Sequence, residues 1–86
     1  MNDPALPTLI LFYDQYSFEN LRVFENVKSL LIDKAVFVSL NMNRHPESFD
    51  TFKVNDLPTV VAFLNGYELW RISGNFSEES ILANFN

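Results

Sequence analysis

Few side chains in this sequence could do chemistry, and most stand alone. The 86 residues include no cysteine, one histidine and one tryptophan. Without sulfur there is no disulfide scaffold, thiolate metal site, cysteine nucleophile or dithiol exchange run by this chain alone. His45, beside Pro46, has no second histidine or thiolate to share a metal, and the carboxylates are scattered without ligand spacing, so neither a metal site nor a cofactor is expected. The Ser17 hydroxyl would need a positioned base to become a nucleophile. Glu19 lies two residues on, but an acid there fits the first turn of a helix, where the dipole favours it, as do Glu78 and Glu79 further along. The remaining candidates are contact residues rather than reactive ones. Tyr13, Tyr16 and Phe18 crowd one short segment, and Trp70 sits within Tyr67-Glu68-Leu69-Trp70-Arg71-Ile72; large aromatics of this kind anchor interfaces, although Tyr13, Phe18 and Trp70 suit a core equally well.

The elements that must position these residues follow from periodicity. Leu9-Ile10-Leu11-Phe12-Tyr13, bounded by Pro7 and Asp14, has the continuous apolar character of a central strand covered on both faces. From Ser17 the period changes. Phe18, Leu21, Phe24, Val27 and Leu31 recur at helical spacing opposite Glu19, Arg22, Glu25 and Lys28, predicting an amphipathic helix of about 15 residues with Ser17 as its hydroxyl cap. Ala35 to Asn41 is a second apolar, β-branched run, expected to be a buried strand parallel to the first. Pro46 is expected in the first turn of a short helix carrying Phe49, Phe52 and Lys53 and closing near Asn55. Thr59 to Leu64 is a third strand, and Asn65-Gly66 supplies a type I′ hairpin into a fourth, Tyr67 to Ser73, expected at the sheet edge. On strict alternation Trp70 shares a face with Glu68 and Ile72, opposite Leu69 and Arg71. Gly74 ends that strand, and Ser77-Glu78-Glu79 opens a final helix with Ile81, Leu82 and Phe85 on its buried side. The order is β-α-β-α-β-β-α. Residues 1–7 read as an extended lead-in and 8–86 as a single domain.

Composition narrows the partners. The net charge of −5 comes from scattered acids and bases, with no basic stripe for a phosphate backbone, so nucleic acid is not an expected direct partner. The longest apolar run is far short of the roughly 20 residues of a membrane span, and no leader-like segment opens the chain; the expectation is a soluble, cytoplasmic protein without membrane contact. An apolar content of 48% exceeds that of acidic disordered chains and is enough for one small core.

Several segments, in register, resemble the thioredoxin family. Leu40-Asn41-Met42-Asn43, with Pro46 downstream, resembles its Leu-Asn-Ile-Asp segment and following proline. Val54 and Leu57-Pro58-Thr59 resemble Ile-x-x-Ile-Pro-Thr, Phe63-Leu64-Asn65-Gly66 resembles Phe-Lys-Asn-Gly, and Gly74-Asn75-Phe76-Ser77 resembles Gly-Ala-Leu-Ser before the last helix. The resemblance runs from Thr8 to the C-terminus, without the strand and helix that full-length thioredoxins place before this core, so it implies a member of glutaredoxin-like size. The implied architecture is an α/β thioredoxin fold, a four-stranded mixed sheet with three helices, with Pro58 at the family's cis-proline. The same register places Tyr16-Ser17-Phe18-Glu19-Asn20 on Trp-Cys-Gly-Pro-Cys. Ser17 and Asn20 take the two cysteine positions, Leu11 that of a buried aspartate and Ser39 that of a lysine. An alcohol forms no mixed disulfide, so no dithiol oxidoreductase activity is expected, and no catalytic residue is assigned.

The resemblance therefore implies a redox-inactive protein-binding module, an adaptor, assembly factor or complex subunit. Its binding residues would be Tyr13, Tyr16, Ser17, Phe18, Glu19, Asn20, Leu57, Pro58, Thr59 and Trp70. Two alternatives stand beside it: a glutathione or thiol-ligand binder of glutathione-transferase type using the hydroxyl of Ser17 or Tyr16, and a homodimer or structural subunit that pairs through the fourth strand near Trp70.

Overall fold

The computed structural model describes residues 5–85, so part of the expected lead-in, residues 1–4, lies outside the described residues. The first apolar run forms β1 (Thr8–Tyr13), which pairs in parallel with β2 (Val36–Asn41) and antiparallel with β3 (Thr59–Leu64). β3 in turn pairs antiparallel with β4 (Tyr67–Ser73), so the sheet order is β2-β1-β3-β4. The helices are α1 (Phe18–Leu30), α2 (Ser48–Thr51) and α3 (Glu78–Leu82), the last running into a 3₁₀ turn, Ala83–Phe85. This is the expected β-α-β-α-β-β-α order, with a mixed four-stranded sheet and three helices.

Period-two alternation along the two central strands divides the core between two faces. Leu9, Leu11, Val60 and Ala62 meet Phe24 and Val27 of α1 and Ile81 of α3. Ile10, Phe12 and Val61 point the other way, onto Met42, Val54 and the partly buried Phe49 and Phe52 around α2. Phe52 lies with its ring centroid 5.1 Å from Phe12 and 5.7 Å from Phe63. The unbroken apolar run of β1 is the signature of these two covered faces.

Three expectations need correction. β2 is not a buried strand: it lies at the sheet edge, and Val36 and Val38 are 48% and 36% exposed. The cause is the brevity of α2. Its four residues pack by Phe49 and Phe52 against Phe12, Phe63 and neighbours and leave the β2 end of that face bare, whereas Phe37, on the other side of β2, is covered by the Phe24 ring at 5.3 Å. The helix after β2 is also shorter than predicted. Pro46 accepts from Phe49 in a turn ahead of α2 rather than within its first turn, and Lys53, at φ 54°, turns the chain before Asn55. Third, strict alternation fails in β4. A register shift opposes Ala62 to Trp70 but Phe63 to Glu68, leaving Leu69 as the extra residue. Trp70 and Ile72 thereby pack against the α1/α3 cluster, while Glu68 and Arg71 share the other face.

Local signals behave as read at the hairpin and the last helix. Asn65 and Gly66 both have positive φ, 52° and 85°, as a type I′ turn requires. The Ser77 hydroxyl accepts from the Ser80 amide in a reciprocal capping box at the start of α3.

Candidate functional site

The antiparallel register of β1 and β3 opposes Phe12 to Thr59, so the chain leaving β1 toward α1 lies beside the chain entering β3. The Asp14–Asn20 segment, the Leu57–Pro58 turn and the Gly74–Phe76 loop gather at this end. The Leu57–Pro58 peptide bond is cis, and the Pro58 carbonyl accepts from the Gly74 amide at 2.8 Å.

Asp14 organises the turn. Its Oδ1 accepts from the Tyr16 amide and from the Ser17 hydroxyl, both at 3.0 Å, and its carbonyl accepts from the Ser17 amide at 3.0 Å. The Ser17 hydroxyl is not the helix cap predicted from sequence, because its side chain bonds back to Asp14 instead of forward to α1. From the sequence Asp14 marks only the end of the first strand. The available signal was an aspartate just past a strand, the composition of an Asx turn.

At the two positions that resemble the family's cysteines, both side chains face inward. Ser17 is 3% exposed, and Asn20 is buried with its Nδ2 donating to the Phe76 carbonyl at 3.5 Å, which ties α1 to the loop before α3. Between them the exposure reverses: Tyr16 is 86% and Phe18 60% exposed. Phe18 belongs to the apolar stripe of α1 by spacing but occupies its first turn, where it stays in solvent with its ring 6.5 Å from that of the half-buried Tyr13. Glu19 is exposed and bonds Arg22 at 3.4 Å on the helix surface.

Not all the sequence-predicted contact residues present side chains here. Tyr13, Tyr16, Phe18, Glu19 and the half-buried Leu57 do. Thr59 is fully buried, its hydroxyl donating to the Asp56 carbonyl at 2.6 Å, and Pro58, Ser17 and Asn20 are buried as well. Trp70 lies elsewhere. Opposite Ala62, it is three residues along β4 from the Thr59–Ser73 pair, about 10 Å at the usual strand rise, and half-buried against the α1/α3 core. Among the described residues no three histidine, cysteine, aspartate or glutamate side chains come together to hold a metal, and no helix is long and apolar enough to cross a membrane.

The sheet order, the two covered faces and the loops converging on Pro58 are those of the thioredoxin fold, and solved structures place the chain there. It superposes on thioredoxin-2, a component of the malaria parasite protein secretion machinery, with a TM-score of 0.87 at 14% identity over 99% of this chain and 85% of that one. A malarial protein gives 0.84 at 14% identity over 93% of each chain. The germline-specific thioredoxin Deadhead of Drosophila melanogaster gives 0.79 at 20% identity over 94% of this chain and 78% of that one. Identities this low speak to the fold. No family model matches the sequence, and no curated protein matches it significantly. The chain is a cysteine-less protein of the thioredoxin fold.

Proposed function

We propose that the chain is a protein-binding module that keeps the thioredoxin scaffold without thiol–disulfide exchange, and that it holds a segment of a protein partner against Tyr16 and Phe18 beside the Leu57–Pro58 turn. It acts in the cytoplasm as an adaptor, assembly factor or complex subunit, not as an enzyme, without direct contact to nucleic acid or membrane. The observation that carries this reading is the reversal of exposure over five residues. The two positions that would have to present reactive atoms are buried and hydrogen-bonded inward, while the aromatics flanking them are in solvent. Exposed Tyr and Phe offer large contact area on few rotatable bonds, the usual makings of an interface hot spot.

Ser17 is poorly placed for other chemistry. A hydroxyl that steadied a glutathione thiolate would donate its proton to the sulfur, and the Ser17 proton is directed at Asp14. As a nucleophile it would have to be accessible and to face a base; it is buried, and an aspartate alone is a weak base for an alcohol.

The test compares affinity capture by the wild type with capture by Tyr16→Ala/Phe18→Ala, read by quantitative mass spectrometry. A partner that binds here should be depleted at least tenfold by the double variant, because truncating a hot-spot aromatic costs roughly 2 kcal/mol or more. Both side chains are mostly in solvent, so the fold should be unaffected. Equal capture of every protein by the two forms would remove the reading. In parallel, the wild type should leave the rate of disulfide reduction by dithiothreitol at its uncatalysed value.

A further inference from the structure

Among the described residues the outer edge of β2 is unpaired, a feature that neither the exposed aromatics at Tyr16 and Phe18 nor the fold accounts for. In a parallel pair, alternate residues turn both backbone groups to the neighbour and the intervening residues turn theirs away. The Val36 amide donates to the Pro7 carbonyl and the Met42 amide to the Tyr13 carbonyl, both at 2.8 Å, which fixes the phase: even-numbered residues face β1. Phe37 and Ser39 therefore present N–H and C=O outward, and no described residue bonds them. Asn41 faces out too, but its carbonyl is occupied by the Arg44 and His45 amides.

Proteins normally guard such an edge with charge, proline, a bulge or a covering element. β2, Val-Phe-Val-Ser-Leu-Asn, has no charge and no proline, and its register with β1 is unbroken. Its α2-side face carries the exposed Val36 and Val38.

We propose that β2 pairs antiparallel with β2 of a second copy about a two-fold axis through Val38, joining two four-stranded sheets into one. The pattern is self-complementary. Centring on Val38 sets Phe37 of each copy opposite Ser39 of the other, so the residues with unbonded outward groups exchange their hydrogen bonds. Val38 meets its own counterpart at a non-hydrogen-bonded position, where side chains come closest, and Val36 meets Leu40. No two charged side chains face each other in this register: Lys34 falls opposite Met42, Asp33 opposite Asn43 and Arg44 opposite Ile32. One strand per copy is well short of the 20–30 residues a side of a standard interface, so the dimer is reversible and forms at high concentration. Each copy carries −5, so added salt strengthens it.

The absence of native cysteine gives a direct test. Val38→Cys should form a covalent dimer under mild oxidation, because the opposed Cα atoms would lie about 4.5 Å apart, within disulfide reach. Val36→Cys, whose copies would sit four residues apart along the joint, should crosslink at least tenfold more slowly. Sedimentation velocity of the unmodified chain should show a dimer at high concentration that Val38→Lys abolishes, by placing like charges on the axis, and that Leu69→Lys on the opposite edge leaves unchanged. A wild type that stays monomeric at millimolar concentration, equal crosslinking at positions 36 and 38, or a dimer lost with Leu69→Lys and kept with Val38→Lys would each overturn the proposal.

Discussion

β4 and β2 close the two sides of the same sheet in different ways. β4 carries an ion pair, a bulge and a tryptophan laid against a helix-covered face; β2 is straight, uncharged and half bare. The bulge at Leu69 lets Glu68 and Arg71 share a face, so the Arg71 guanidinium bonds both Glu68 oxygens, at 2.8 and 2.9 Å, and also donates to the Phe52 and Lys53 carbonyls at 3.0 and 2.9 Å. That side of the molecule therefore has its loose backbone at the end of α2 gathered by one side chain. On the β2 side no described side chain does the equivalent, and α2 does not extend that far. Two edges of one small domain can thus have opposite uses: β4 is finished within the chain, while β2 retains the capacity to pair.

The sharpest way to break this contrast is a proline walked along β2, and it has the largest expected effect. Val38 and Ser39 are adjacent, but only the Val38 amide faces β1. Val38→Pro should lower the unfolding free energy by about 3 kcal/mol, since it removes a ladder donor and leaves a carbonyl of β1 unmatched. Ser39→Pro removes an outward N–H and should cost less than about 1 kcal/mol, as proline does on an open edge. Urea denaturation in dilute solution, where the chain is monomeric, separates the two. Equal losses would mean that the edge is not open in the phase described.

Burial distinguishes the edges next. Trp70→Ala empties a half-buried site against the α1/α3 cluster and should cost about 2–3 kcal/mol, somewhat below the range for a fully buried tryptophan. Val36→Ala, on the bare part of β2, should cost under about 1 kcal/mol. If Val36→Ala cost as much as Trp70→Ala, the α2-side face would have to be covered in solution.

What the sequence disclosed of these edges reflects which forces are local. The Asn65-Gly66 hairpin and the Ser77 cap depend on the conformational preferences of a few adjacent residues, and they were readable. The unbroken apolar run of β1 was readable because both its faces are covered. The same inference failed for Val36-Phe37-Val38, because an apolar run records what a strand could bury, while coverage depends on a helix contributed from a distant segment. Trp70 could not be placed because a one-residue bulge reverses alternation without a marker such as glycine. The Ser17 hydroxyl suits a cap by composition, yet its proton goes to Asp14, since both are short-range partners and composition does not choose between them. At the site, the exposed Tyr16 and the replaced cysteine positions were legible, but the inward turn of Ser17 and Asn20 was not.

The smallest expected effect concerns the ion pair that finishes β4. The hydrogen bonds from Arg71 hold the Glu68 carboxyl below its ordinary range, against an opposing desolvation and with a smaller contribution from the guanidinium charge, and Arg71 is raised in return, first by the same hydrogen bonds. A carboxylate whose folded-state value is lowered binds protons more readily when unfolded, so its contribution is complete above the ordinary glutamate range and fades as acid titrates it through its lowered folded value. Both side chains are partly exposed, and solvent screening limits the contribution to under about 1 kcal/mol at neutral pH. Glu68→Gln should therefore be slightly less stable than the wild type near pH 7, and the gap should close as the pH falls below the normal glutamate range. Salt should narrow it at neutral pH as well, because partly exposed charges are screened. A gap that stayed constant from neutral to strongly acidic pH would mean that Glu68 acts through packing over Phe63 rather than through its charge, and that β4 is protected by its bulge and Trp70 alone.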